Sequence, residues 1–169
     1  MTLPDLRIQI RPTEVRDIPD LYRVRASTRQ NAISKRTLIE WGITPESTAE
    51  GLESGRLAGR VCEQQGHIVG FCTGDTHSGE VLVLAVLPEH EGQGIGLTLL
   101  TNVVDELKQQ GCTRLWLACS ADPASRSHGF YRRNGWSATG VKLDNGDEVL
   151  VLETARIDIP NSPPGPCRT

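Results

Sequence analysis

The sequence lacks two features that would tie it to a membrane or to nucleic acid. It contains no apolar run close to the roughly 20 residues needed to cross a bilayer, and no apolar leader follows the early charges Asp5 and Arg7. It has 18 Lys and Arg against 21 Asp and Glu, a formal net charge of -3 at pH 7. Nucleic-acid binding normally shows as a basic surface. We therefore expect a cytoplasmic protein that binds neither membranes nor nucleic acid.

The cysteines also lack the spacing of a metal site or a disulfide framework. There are five cysteines, an odd number, and no two of them are spaced as C-x-x-C. That pattern argues against a zinc site and against a disulfide framework. We expect reduced thiols, most of them acting as small hydrophobic residues, and no bound metal.

The hydrophobic pattern predicts a mixed α/β domain. Residues 6–10 alternate as in a half-buried strand, and residues 80–87 form a nearly all-apolar run, typical of a central strand covered on both faces. Apolar residues at helical spacing follow from Leu97 to Leu107. The order of predicted strands and helices along the whole chain indicates a central mixed sheet of about seven strands with about four helices on its faces. We assign residues 1–156 to one domain and the proline-rich residues 157–169 to a flexible tail.

A glycine-rich loop joins that central strand to the helix. Its residues, Glu91 to Gly96, include glycine at positions 92, 94 and 96. Glycine allows tight turns and close approach of a ligand, and the unpaired N–H groups at a helix start favour an anion such as a pyrophosphate. The loop lacks the Gly-Lys-Ser/Thr ending of a phosphate-binding P-loop, and Leu97 stands where a dinucleotide-binding fingerprint requires glycine or alanine.

Two motifs resemble those of the GNAT superfamily of acyltransferases. Gly94 and Gly96 match the family pattern Gln/Arg-x-x-Gly-x-Gly/Ala, with Glu91 in the Gln/Arg position, and residues 129–136 resemble the family's Phe-Tyr-x-x-x-Gly-Phe/Trp segment. The element order is similar over about residues 6–154, but these motifs lie only within residues 80–136. The resemblance implies a GNAT-like fold and acetyl-CoA as co-substrate.

The resemblance also implies where the co-substrate binds. Coenzyme A would contact the end of the central strand, the glycine loop and the next helix, through Ala85, Val86, Leu87, Glu91, Gly92, Gln93, Gly94, Ile95, Gly96, Leu97 and Arg126. Because a carboxylate facing a pyrophosphate is unfavourable, we expect Glu91 to point outward. Many family members carry an asparagine where this chain has Ala124, and Arg126 or Ser125 is the expected replacement.

Catalytic roles follow from the same resemblance. Tyr131 would be the acid that serves the coenzyme A sulfur, and Glu80 would be the base that takes the amine proton. Asp75, His77 and an ordered water remain alternatives for the base. Trp41 lies in a region that often forms the acceptor pocket, but we expect it to pack this loop onto the core.

The predicted function is an N-acetyltransferase that moves an acetyl group from acetyl-CoA to an amine by direct transfer in a ternary complex. The alternative is a non-catalytic coenzyme A binding or sensor module. The acceptor would be a small-molecule or peptide amine whose identity the sequence does not specify, and a homodimer is left open.

Overall fold

A computed structural model describes residues 7–154. The tail expected at residues 157–169 lies outside the described residues. The strands and helices are β1 (Ile8–Pro12), α1 (Ile18–Ala26), α2 (Lys35–Glu40), α3 (Pro45–Ser54), β2 (Leu57–Gln64), β3 (His67–Asp75), β4 (Val81–Val86), α4 (Ile95–Gln109), β5 (Arg114–Cys119), α5 (Arg126–Arg133), β6 (Ser137–Lys142) and β7 (Glu148–Glu153).

The predicted mixed α/β fold is confirmed, with one more helix than expected. The extra helix is α2, in the stretch that shows no clear periodicity. It begins after Ser34, whose side chain accepts a hydrogen bond from the N–H of Thr37, and this cap is a standard device for starting a helix. Because α2 has only six residues, it is too short to produce a readable helical period.

The strands form two antiparallel sheets, in the orders β1-β2-β3-β4 and β5-β7-β6. They meet at an isolated parallel bridge between Glu80 and Trp116. The N–H of Trp116 donates to the carbonyl of Gly79 at 3.1 Å beside this bridge. The mixed character of the sheet therefore comes from the junction between β4 and β5.

Helix α4 covers one face of the first sheet. Its inward side chains are fully or nearly fully buried, namely Leu99, Leu100, Val103, Val104 and Leu107. The helix lies so close to β3 that a Cβ on Gly74 would come within 2.9 Å of side-chain atoms of Val103 and Leu107. We had expected Leu97 on this buried face, but it is 42% exposed.

Helix α1 covers the opposite face of the same sheet. Leu21 and Val24 pack there with Val61, Phe71 and Ala85 from the strands beneath. The first sheet therefore has a helix on each face, which explains why β3 and β4 read as almost continuous apolar runs.

Two kinds of feature are absent from the described residues. Between residues 7 and 154, no helix combines the length and hydropathy of a membrane span. The same residues contain no group of three or more His, Cys, Asp or Glu side chains that could hold a metal ion. Cys62, Cys72 and Cys119 are buried free thiols, as expected, whereas Cys112 is disulfide-bonded, which contradicts the expectation of reduced thiols at that position.

Candidate active site

A cleft opens where the two sheets separate. Strand β4 is the edge of the first sheet and β5 is the edge of the second. Beyond the bridge at Glu80 and Trp116 the two strands no longer pair, and a cleft of about 1090 Å³ lies between them. Edge strands present backbone N–H and C=O groups that can pair with an added extended chain. The cleft therefore suits an elongated ligand that carries amide groups.

The glycine loop forms one end of this cleft. Gly94 precedes α4 with φ at 78°, and Gly92 has φ at 79°, a left-handed conformation that side chains with a Cβ rarely adopt. Gly96, in contrast, is helical, and a Cβ there would meet only ordinary contacts at 3.9 Å. The first two glycines are thus required by backbone conformation, whereas alanine would fit at Gly96.

Most of the residues predicted to bind coenzyme A line the cleft. They are Ala85, Val86, Glu91, Gly92, Gly94, Ile95, Gly96, Leu97 and Arg126. Leu87 and Gln93 lie outside the lining: the N–H of Leu87 donates to the carbonyl of Val69 on β3 at 2.9 Å, and Gln93 is exposed. Their assignment as ligand contacts stays a prediction.

Glu91 does not point outward as we had expected. Its side chain is only 19% exposed, and one carboxylate oxygen accepts hydrogen bonds from Arg29 Nε at 3.0 Å and from the Arg126 guanidinium. The two arginines come from different parts of the chain, the segment after α1 and the first turn of α5. Two arginines and one glutamate carry a net charge of +1, so this end of the cleft remains attractive to an anion.

A segment that sequence reasoning missed also lines the cleft. Residues 28–31, which we call the strap, all line it. The strap is held by the Arg29–Glu91 pair and by Gln30, whose side-chain oxygen accepts a hydrogen bond from the N–H of Arg126 at 3.1 Å. Arg29 and Glu91 are 62 positions apart, and no local pattern reveals such a pair.

Removing the Glu91 charge should tighten coenzyme A binding. In Glu91→Gln the net charge of the cluster rises by one, which favours the phosphates by roughly 1 kcal/mol in a partly solvated site. We expect an about fivefold lower Kd at low ionic strength, shrinking as salt screens the charges. Titration calorimetry with coenzyme A at two salt concentrations measures both effects.

Glu89→Gln is the matched control, since Glu89 is exposed and outside the cleft lining and its loss makes the same change in net charge. A weaker Kd in Glu91→Gln, with Glu89→Gln unchanged, would contradict the expectation and show that Glu91 serves mainly to hold the arginines in place.

Tyr131 lies on α5 and lines the same cleft. Its ring is held edge-on by Phe130 and Trp136, with centroid distances of 5.2 Å and 6.0 Å. No group in residues 7–154 forms a hydrogen bond with its hydroxyl. Burial, aided by the nearby Cys72 and Cys119, raises the pKa of Tyr131 well above its ordinary value. The hydroxyl therefore stays protonated at neutral pH and is available as a proton donor.

The Asp-Pro pair at residues 122–123 is typical of a helix start, but α5 begins a few residues later. The helix begins at Arg126, and Ser125 is its N-cap, accepting a hydrogen bond from the N–H of His128 at 3.4 Å. Ser125 is therefore used in the helix cap. Ala124, Ser125 and Arg126 all line the cleft, and the replacement of the family's asparagine by Ser125 or Arg126 stays a prediction.

A second cavity, of about 670 Å³, lies on the other side of β4. It is enclosed by α1, α2, α3 and the first sheet, and Glu80 lines it. Three residues, Arg25, Leu82 and Val83, line both cavities. Tyr131 and Glu80 thus line two different cavities that share a wall at Leu82 and Val83.

Among the carboxylates considered for the base, Glu80 is the better placed. Burial raises the pKa of Glu80, and the charge of Asp75 adds to the rise, which makes it a stronger base when ionised. Asp75 is buried and its carboxylate accepts hydrogen bonds from the N–H groups of His77 and Ser78, so it is engaged in closing the turn before β4. His77 is exposed and lines neither of the two cavities.

Trp41 contradicts the expectation that it packs onto the core. Its side chain is 63% exposed and lines the second cavity. The backbone beneath it is nonetheless fixed, because the N–H of Trp41 donates to the carbonyls of Thr37 and Leu38, and the N–H of Gly42 donates to Ile39. The ring is therefore an exposed apolar surface on an ordered turn.

Comparison with known proteins gives a consistent family match. The model of the Acetyltransferase (GNAT) family matches residues 18–136. A Bacillus subtilis (strain 168) protein, named as a candidate ribosomal protein bS18-alanine N-acetyltransferase, is 26% identical over 151 residues, covering 85% of this chain and 92% of the relative. The ribosomal protein bS18-alanine N-acetyltransferase of Escherichia coli (strain K12) is 32% identical, over 41% of this chain and 50% of its own.

Solved structures agree on the fold. The PaiA N-acetyltransferase of Thermoplasma acidophilum, in complex with coenzyme A, superposes with a TM-score of 0.72 at 20% identity, covering 88% of this chain and 99% of that one. The ribosomal protein S18-alanine N-acetyltransferase of Escherichia coli superposes with a TM-score of 0.68 at 20% identity, covering 92% and 99%.

Proposed function

The chain belongs to the GNAT acetyltransferase family, and we propose that it transfers an acetyl group from acetyl-CoA directly to an amine held in the same complex. The observation that carries this proposal is the pair of cavities that meet at Leu82 and Val83. A thioester in the cleft and an amine in the second cavity would approach each other at that shared wall. Two reactants held side by side need no acetylated enzyme as an intermediate.

The cleft fits coenzyme A in both charge and shape. The Gly92–Gly96 turn offers N–H groups at the start of α4, and Arg29 and Arg126 add positive charge for the phosphates. The open edge of β4 offers backbone groups for the amides of the pantetheine arm. A backbone N–H near Ala85 or Val86 would polarise the thioester carbonyl.

The reaction then needs a base that takes protons from the nitrogen and an acid that protonates the sulfur. Glu80, directly or through one water, takes a proton from the ammonium group and passes it to solvent, so that the neutral nitrogen can attack the thioester carbon. The C–N bond forms and the nitrogen loses its second proton to Glu80, while the C–S bond breaks and the sulfur leaves with the electron pair of that bond. The Tyr131 hydroxyl donates its proton to the sulfur. Once Glu80 and Tyr131 have exchanged protons with solvent and returned to their starting states, the products are the N-acetylated amine, coenzyme A and one released proton.

Two other possibilities are tested by the same assays. A non-catalytic coenzyme A binding module would need neither Tyr131 nor Glu80, yet both line the cavities. The names of the curated relatives suggest one acceptor, the amino-terminal alanine of a ribosomal protein. A peptide beginning with alanine therefore belongs among the amines to be tested.

The proposal predicts release of free thiol from acetyl-CoA that depends on an added amine. Initial velocities with both substrates varied should give intersecting lines, as expected for a ternary complex. Mass spectrometry of the enzyme with acetyl-CoA alone should find no acetylated side chain in the cleft. Parallel lines or a stoichiometric acetyl-enzyme would refute direct transfer. Coenzyme A binding without turnover of any amine would favour the binding module.

A further inference from the structure

Exposed apolar side chains gather around the second cavity. Among residues 7–154, nine large hydrophobic residues are substantially exposed, and three of them line this cavity: Trp41 at 63%, Leu82 at 46% and Ile43 at 45%. They come from different places, the turn after α2, the segment leading to α3, and β4. Leaving three such side chains in water around one cavity is unfavourable unless a ligand covers them.

The geometry of this rim is fixed by hydrogen bonds. The Tyr22 hydroxyl donates to the carbonyl of Ile43 at 2.9 Å, and the N–H of Ile43 donates to Leu38 at 2.9 Å. Gly42, with φ at 83°, permits the turn between Trp41 and Ile43. The apolar rim is thus preorganised, which lowers the entropic cost of binding.

The charges in the cavity are few and of both signs. Arg25 and Arg56 face it together with Glu50 and Glu80. Arg56 is paired with Asp75 at 3.4 Å, and in the proposed function Glu80 contacts the reacting nitrogen. A polycation would therefore meet two arginines, an apolar wall and, beyond Glu80, the single carboxylate of Glu50, which is too little to compensate for the desolvation of all its further charges.

We propose that the acceptor is a primary amine carried on an uncharged apolar body, aromatic or aliphatic, which packs against Trp41, Ile43 and Leu82 while its nitrogen points to Glu80. This inference rests on the proposed function, because it places the acceptor in the cavity that Glu80 lines. The same chemistry is offered by a free amine such as 2-phenylethylamine and by a peptide whose first residue is phenylalanine.

The test compares four amines in the thiol-release assay: 2-phenylethylamine, a peptide beginning with phenylalanine, the same peptide beginning with serine, and spermidine. We expect kcat/KM for at least one of the two apolar acceptors to exceed that for serine peptide and spermidine by about tenfold or more. Whichever of these two apolar acceptors has the higher kcat/KM shows whether the amine belongs to a small molecule or to the first residue of a peptide. Preference for spermidine or for the serine peptide would overturn the inference.

Substitution of the rim tests the contact itself. Trp41→Ala should raise KM for the apolar acceptor about tenfold, through the loss of buried apolar area, and leave kcat and the KM for acetyl-CoA unchanged. Trp41→Phe should restore most of the affinity. Ile39→Ala is the matched control, since Ile39 is 42% exposed on the neighbouring helix but lies outside the cavity lining. Equal effects of Trp41→Ala and Ile39→Ala would overturn the assignment.

A binding measurement separates this inference from the proposed function. Trp41 is exposed, whereas Trp136 is buried and Trp116 is half-buried. The titration uses 2-phenylethylamine with free coenzyme A present, so that no acetyl transfer occurs. Binding should bury Trp41 and shift tryptophan emission to shorter wavelength in a saturable manner. The shift should vanish in Trp41→Phe. A shift without any acetylation would support the cavity assignment and refute the proposed function. Acetylation of 2-phenylethylamine without a shift would refute the cavity assignment alone.

Discussion

Tyr131→Phe is expected to lower kcat about 10²-fold, the lower end of the range for general acid catalysis. The substitution removes only the hydroxyl, so the edge-on contacts of the ring with Phe130 and Trp136 should persist. No hydrogen bond within residues 7–154 depends on that hydroxyl. The loss should therefore appear in the chemical step and leave folding and coenzyme A affinity unchanged.

Steady-state kinetics with a fixed amine, together with calorimetric titration of coenzyme A and a thermal melt, measures these quantities. Because burial raises the pKa of Tyr131, the wild-type enzyme should show no loss of activity from ionisation of this tyrosine between pH 7 and pH 9. Wild-type turnover in Tyr131→Phe would mean that the thiolate leaves without a proton from this residue.

Glu80→Gln should also lower turnover about 10²-fold near neutral pH, the low end expected for loss of a general base. The change preserves the shape of the side chain and lies outside the coenzyme A cleft, so the Kd of coenzyme A should not change. His77→Gln, at an exposed position outside both cavity linings, is the matched control.

The pH dependence identifies the role more sharply than the rate alone. Glu80 acts only when ionised, so wild-type kcat/KM should fall as pH falls through the pKa of Glu80, which burial raises above the ordinary value for glutamate. This fall of kcat/KM at low pH should be missing in Glu80→Gln. The defect should also shrink as pH rises, because more of the amine is then neutral without help. A defect that is independent of pH would assign Glu80 a structural role.

The elements that create the cleft were readable from the sequence because each has a strong local signal. Residues 80–87 are almost entirely apolar, the next seven contain two glycines that need positive φ, and α4 repeats apolar residues at helical spacing. Even there, periodicity failed at the start of the helix. It placed Leu97 inside, whereas the helix turns that residue toward the cleft and buries Leu99.

The features that the sequence did not reveal depend on contacts between distant segments. The Glu91 carboxylate is turned inward by Arg29 and Arg126, which lie 62 and 35 positions away. Trp41 was expected to be buried because large aromatic residues usually are, but α2 ends just before it and Gly42 reverses the chain. The position of Glu91 has no local signature, since it is decided by how three separate segments meet.

The wall between the two cavities has a practical consequence for inhibitor design. At Leu82 and Val83 a single strand separates them. A bisubstrate compound, with the coenzyme A sulfur joined through a short linker to the nitrogen of an apolar amine, would occupy both sides at once. Its second half would bind at an effective concentration in the millimolar range, so its affinity should exceed that of either half by about 10²-fold or more. Its selectivity within the family would come from the amine half, which meets the side chains around α2.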